Sequence, residues 1–189
     1  MWPFSGKATK ADGRSKRLVF LIECLMNQNA RDLGAAERPA LDRDVLELLS
    51  DAQVGIVQIP CPEMTCLGFE RRRAPGQSIR HALEEPPALA CCGRLAAATA
   101  ERIQSYAQLG YRVLAVLGGN AQSPACAVHT VAGDATRLTE KSGVFMLALA
   151  AELARRGLDI PFQGIRDADP QLLGEDLARL RRRVAHPCG

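Results

Sequence analysis

The chain has 189 residues, 47% of them apolar and 24% charged, with a net charge of +3. That length and composition suit a single domain with its own core, and the small charge does not imply a grip on nucleic acid through the overall field of the protein. The longest apolar run, "VFMLALAAELA", is interrupted by Glu152 and is too short to span a bilayer.

Residues 1–17, "MWPFSGKATKADGRSKR", read as a flexible basic segment without the apolar stretch of a secretory signal. A soluble, cytoplasmic protein with no membrane partner is expected. In that compartment the seven cysteines are not expected to form disulfides. Buried apolar residues, metal ligands and reactive thiols remain as readings of them.

Residues 18–189 read as one α/β domain. A first buried strand is expected over 17–24, followed by a helix over 41–52 whose acidic start suits a helix N-terminus. A second strand covers 53–60. The stretch 71–90, "RRRAPGQSIRHALEEPPALA", is rich in proline and charge and reads as a long surface excursion, partly helical. A helix over 96–110 stops at Gly110, and a third strand follows over 111–118. The run 141–157 is apolar almost all round and predicts a buried helix, followed by a short strand over 159–166. The last helix carries Leu173, Leu177, Leu180 and Val184 as one amphipathic stripe.

Near-continuous Val, Ile and Leu in the first three strands is the pattern of a parallel sheet covered on both faces. The expected architecture is a Rossmann-like three-layer sandwich: a mostly parallel sheet of about four strands with helices on both faces. Two arginine runs, at Arg71, Arg72 and Arg73 and at Arg179, Arg181, Arg182 and Arg183, read as solvated surface or as a phosphate-binding patch.

Ligands of open parallel sheets bind beyond the carboxyl ends of the strands. Cys24 is expected as the last residue of the first strand, Cys61 just after the second, and Cys126 in the Gly-rich loop "GGNAQSPACAVH" after the third. Pro60 and Pro62 fix the backbone around Cys61. Structural zinc sites use four ligands, commonly as C-x-x-C pairs, and this sequence has no such pair. Three thiolates can hold a [4Fe–4S] cluster by three corners and leave one iron open. Cys66 could lie near this rim or simply be packed. Cys91 and Cys92 precede the helix expected over 96–110 without a partner that spacing supplies, and Cys188 is near the C-terminus.

The segments "ECLMNQNAR", "GIVQIPCPEMTCLG", "GYRVLAVLGGNAQSPACAVH" and "SGVFMLALAAELARRGLDIPFQGI" together resemble the DUF523 family, which includes the 2-thiouracil desulfidases. The resemblance implies a Rossmann-like α/β protein whose Cys24, Cys61 and Cys126 hold an oxygen-sensitive [4Fe–4S] cluster. The family's C-P-E motif reads here as Cys61, Pro62 and Glu63. Its S-P-S-C-G motif reads as Ser123, Pro124, Ala125, Cys126 and Ala127, with Ala125 and Ala127 in place of Ser and Gly. "MNQNAR" after Cys24 is also unusual and marks a sub-branch.

The activity implied is removal of sulfur from a thiocarbonyl compound such as 2-thiouracil, without net redox change. The open iron would polarise the sulfur, and Glu63 would serve as general acid and base. Ser123 would bond the substrate or relay a proton, or else cap a turn. Asn27 and Asn29 could read a pyrimidine edge, with turn chemistry as their other reading. Ser142 and Gly143 open the buried helix and could receive an anionic group there, or Ser142 could act only as a cap. The implied partner is a small thiolated nucleobase rather than tRNA, although desulfuration of thiolated tRNA is one alternative. A second is a non-catalytic metal site completed by Cys66 or His129. A third is metal-free thiol chemistry at Cys61.

Overall fold

The structure, a computed structural model, describes residues 12–185. The expected basic segment is thus covered only from residue 12 on, and Cys188 lies outside the described residues. The sheet is built on β1 (Arg17–Ile22), which pairs in parallel with β2 (Gly55–Ile59) on one side and β3 (Arg112–Gly118) on the other.

β1 and β3 are buried along almost their whole length, as expected for central strands covered on both faces. Edge strand β2 instead alternates between buried and exposed positions. The other edge strand, here numbered β6 (Phe162–Gly164), pairs in parallel with β3, so the spatial order is β2-β1-β3-β6. The expected four-stranded α/β sandwich is therefore the observed fold.

Helix α2 (Arg43–Asp51) begins where the Asp42 carboxylate accepts from the Val45 amide at 3.2 Å. It packs against α7 (Pro170–Val184) on one side of the sheet. α7 is capped in the same way, Asp169 accepting from the amides of Gln171 and Leu172. Its stripe of Leu173, Leu180 and Val184 is buried, with Leu177 packed beside it. The other layer pairs α5 (Pro86–Gln108) with α6 (Val144–Arg155). No helix among the described residues is long and apolar enough to cross a membrane.

Three local features differ from the expectation, and the stretch 71–90 is partly helical as expected. β1 ends at Ile22, and Cys24 lies in the one-turn helix α1 (Glu23–Met26) rather than in the strand. The stretch 71–90 contains α4 (Ile79–Glu84), capped by Ser78, and the start of α5. α5 thus begins ten residues before the expected start. Pro86 and Pro87 occupy its first turn, where no intrahelical amide is required, and so begin the helix rather than break it. Cys91 and Cys92 consequently sit inside α5. Finally, β4 (Thr130–Val131) and β5 (Asp134–Leu138) form an antiparallel hairpin that the sequence reading did not anticipate. Gly133 turns it with φ +81°.

Glycine at position 143 is dictated by close approach. A Cβ there would lie 2.2 Å from the Ala125 carbonyl carbon and 2.4 Å from the Cys126 nitrogen. Backbone on both sides leaves nothing free to yield. Gly143→Ala is expected to destabilise the fold by about 3 kcal/mol, the upper range for overpacking. Urea unfolding checks this, and an unchanged midpoint would refute the contact.

Candidate metal centre and catalytic wall

The three strand ends on adjacent strands β2, β1 and β3 bring Cys61, Cys24 and Cys126 to one edge of the sheet. Cys61 is the residue preceding α3 (Pro62–Leu67), and Cys126 lies in the loop between β3 and β4. All three thiols are free and buried, and all three line one cavity of about 380 Å³. Glu63 and Ser123 share its wall with Arg31, Arg71, Asn120 and Gln122.

Cys126 is held from two sides. The first amides of α6 donate to its loop: Gly143 to the Ala127 carbonyl at 2.9 Å, Val144 to Pro124 at 3.0 Å and Phe145 to Ala125 at 3.1 Å. From the sheet, the Gly119 amide donates to the Cys126 carbonyl at 3.1 Å. A Cβ at Gly119 would lie 2.9 Å from the Cys126 sulfur and 3.6 Å from the Cys24 sulfur. The bare backbone there leaves space beside the two thiols. The hydrogen bond from Cys126, aided by Arg31, lowers the pKa of Cys24, while the same bond and burial push Cys126 well up. Burial also raises Cys61.

The catalytic candidates touch each other. Ser123 Oγ donates to Glu63 Oε1 at 3.4 Å, accepts from the Cys126 amide at 3.2 Å, and lies 3.0 Å from the Cys126 sulfur. Burial pushes the Glu63 carboxyl above the usual carboxylate range, and Arg71 pulls in the opposite direction.

Arg71 is the residue whose importance the sequence reading missed. Within a run read as surface, it is 2% exposed, while Arg72 and Arg73 are exposed. Its Nε lies 3.5 Å from Glu63 Oε2, and one terminal nitrogen lies 3.8 Å from the Cys61 sulfur and donates to the Ala30 carbonyl. The other donates to the Phe69 carbonyl at 2.8 Å. A backbone φ of +47°, uncommon for a long side chain, turns it inward. A second buried guanidinium, Arg31, stands beside Cys24 and pairs with the buried Asp167. Gln28 completes this corner, donating to the Cys24 carbonyl at 3.1 Å and to Asp167 at 3.2 Å.

The proposed substrate contacts fare differently. Asn27 and Asn29 are exposed, bond each other at 3.0 Å and do not line the cavity. Turn formation accounts for them, and it is Gln28 between them that points inward. Ser142 is buried and exchanges hydrogen bonds with the backbone of His129, so neither it nor Gly143 faces the cavity. The α6 amides that would receive an anion are spent on the Cys126 loop. His129 bonds the Ala121 carbonyl at 2.9 Å.

Cys66 is joined to Cys91 in a disulfide, which corrects the expectation that none would form. Helix formation from Pro86 onwards is what brings Cys91 opposite Cys66. Both candidates for a fourth protein ligand, Cys66 and His129, are thereby engaged elsewhere. Ala125 and Ala127 are buried and off the cavity wall.

No three His, Cys, Asp or Glu side chains among the described residues converge to hold a single metal ion. Ligands to a multi-iron group bind separate irons and need not converge on a point. The donor set here, three thiols lining one cavity with a buried guanidinium beside two of them to offset thiolate charge, fits such a group.

No family model matches the chain, and no solved structure matches it. It is 33% identical over 58 residues to uncharacterized protein MJ0003 of Methanocaldococcus jannaschii. That stretch is 31% of this chain and 37% of the relative, too little of either to carry a functional argument.

Replacing Arg71 by Gln leaves Glu63 and two backbone carbonyls without their cation, and is expected to destabilise the protein by about 3 kcal/mol. The exposed Arg72→Gln should stay within about 0.5 kcal/mol of wild type. Parallel urea titrations compare them, and equal midpoints would remove Arg71 from its bridging role.

Proposed function

We propose that the chain belongs with the DUF523 desulfidases and removes sulfur from a small thiocarbonyl compound such as 2-thiouracil. It would hold a [4Fe–4S] cluster through Cys24, Cys61 and Cys126. The observation that carries this reading is the opening of three free, buried thiols from three adjacent strand ends onto one cavity with Glu63 on its wall. When bound, such a cluster supplies an iron without a protein ligand, a Lewis acid for the thiocarbonyl sulfur.

The residues of the chain supply the remaining requirements. The reaction turns C=S and water into C=O and hydrosulfide, so both protons must leave the water oxygen, one reaching the sulfur and the other passing to solvent. Glu63, kept weakly acidic by burial, accepts the first and returns it. Arg71 fixes the carboxylate from the opposite side, and Ser123 bridges Glu63 and the Cys126 sulfur. Asn120 and Gln122, rather than Asn27 and Asn29, present amide groups to a heterocycle in the cavity. A volume of about 380 Å³ is at the small end for ligand sites and suits a free base.

Protein reconstituted without oxygen should carry about four iron and four labile sulfide per chain, and Cys61→Ala should lose both. Glu63→Gln should keep the iron while sulfide release from 2-thiouracil falls by about 10²–10⁴-fold. Wild type that takes up only zinc, or nothing, would overturn the cluster assignment. Unimpaired turnover by Glu63→Gln would remove the carboxylate from the mechanism.

A further inference from the structure

The disulfide lies outside this cavity and brings together three sulfurs. Cys66, in the last turn of α3, is bonded to Cys91 with Cα atoms 5.5 Å apart. The next residue of α5, Cys92, places its free thiol 3.8 Å from the Cys66 sulfur. Cys66 borders a separate surface cavity of about 480 Å³ whose wall includes Arg72, Arg73, Gln77 and Glu85. Cys66 and Cys91 are half-buried, whereas Cys92 is fully buried. A disulfide reachable from a cavity with two guanidiniums, with a third thiol behind it, is built for exchange as well as for bracing.

We propose that Cys66, Cys91 and Cys92 form a thiol–disulfide exchange site at which a small, carboxylate-bearing thiol opens the Cys66–Cys91 bond and releases α3. The thiolate of the external compound attacks Cys66, forming a mixed disulfide, and Cys91 leaves as a thiolate and takes a proton. A second molecule of the same thiol attacks the external sulfur. The products are one oxidised dimer of the small thiol and two protein thiols, so two external thiols are oxidised as one protein disulfide is reduced. Arg72 and Arg73 favour the anionic reagent and the Cys66 thiolate. Cys92 is the alternative partner of Cys66. Burial pushes its thiol up to about 11, so at neutral pH the external thiolate acts first.

The consequence falls on α3. It has six residues, too few to hold a helix unaided, so its order depends on its tertiary ties. Its C-terminal turn is tied by Cys66, while Cys61 precedes its first turn and Glu63 lies within it. Opening the bond therefore loosens the element that carries one cavity thiol and the carboxylate. This inference concerns the covalent state of α3 and holds whether or not the desulfidase reading does.

The test incubates the folded, oxidised chain with millimolar reduced glutathione, traps thiols with N-ethylmaleimide and maps them by peptide mass. Cys66 and Cys91 are expected to become labelled together. Amide exchange at Thr65 and Gly68, whose N–H groups close the α3 turns, should then quicken by about tenfold or more while α7 is unchanged. A Cys91→Ser variant treated with oxidised glutathione should form Cys66–Cys92. A bond that yields only when the chain is unfolded would make it a fixed brace and overturn the proposal, as would opening that leaves the α3 amides protected. Failure of Cys91→Ser to form Cys66–Cys92 would remove Cys92 from the site.

Discussion

Everything at the candidate site depends on β1 lying between β2 and β3 in a parallel sheet. Parallel strands all end on the same side, so three neighbouring strands deliver three connections to one edge without any loop crossing another. The burial that fixes β1 in this place comes from near-continuous apolar sequence, and the register of its pairing sets the height at which each connection departs. Cys24 and Cys61 leave through one-turn and two-turn helices, which allow little slack. Cys126 lies eight residues beyond β3 and would wander if the amides of α6 were not bonded to its loop. The buried helix is thus a tether for the loop that carries the Cys126 thiol, and the absence of a side chain at Gly143 permits the contact.

The second constraint is charge. Thiols and a carboxyl that are buried together resist ionising, and burial accordingly shifts Cys61 and Glu63 upward, while Cys126 is raised first by its hydrogen bond to Cys24 and then by burial. Two buried guanidiniums oppose it at separate corners, Arg31 beside Cys24 and Arg71 beside Cys61 and Glu63. Burying an arginine is unfavourable unless its donors are used. The terminal nitrogens of Arg71 donate to the carbonyls of Ala30 and Phe69 and to the Cys61 sulfur, while its charge pairs with Glu63, and it thereby links the connection after β1 to the one after β2. A structural ion pair alone would not need to open onto a cavity.

The sheet was legible in the sequence because strands buried on both faces leave an unmistakable run of Val, Ile and Leu. Cys24 and Cys61 were legible for the same reason, since they follow the ends of such runs, whereas Cys126 lies in the Gly-rich loop further on. What escaped was set by the tertiary fold. Arg71, Arg72 and Arg73 are chemically identical neighbours, and only the left-handed turn at Arg71 sends one inward. In "NQN" the exposed pair drew attention, yet the middle residue is the buried one, because a tight turn alternates its faces. Pro86 and Pro87 were read as the end of a surface excursion when they begin a long helix, which hid the position of Cys91 relative to Cys66. Ser142 and Gly143 were correctly placed at a helix start, but which carbonyls that start would face could not be read from local residues.

Short helix α3 joins these strands of argument. Its first residues belong to the cavity and its last turn to the disulfide, so six residues connect the cavity thiol Cys61 to the Cys66–Cys91 bond. A longer helix would have held its shape independently and insulated one end from the other. Arg71, just beyond it in sequence, folds back onto Glu63 and Cys61 and fixes the N-terminal end by charge, while Cys91 fixes the C-terminal end by a covalent bond. The geometry of Glu63 is therefore set from both directions. Of these two ties, the ion pair is buried at the wall of the thiol cavity and the disulfide borders a separate surface cavity, which makes the covalent one the tie that an external thiol can release.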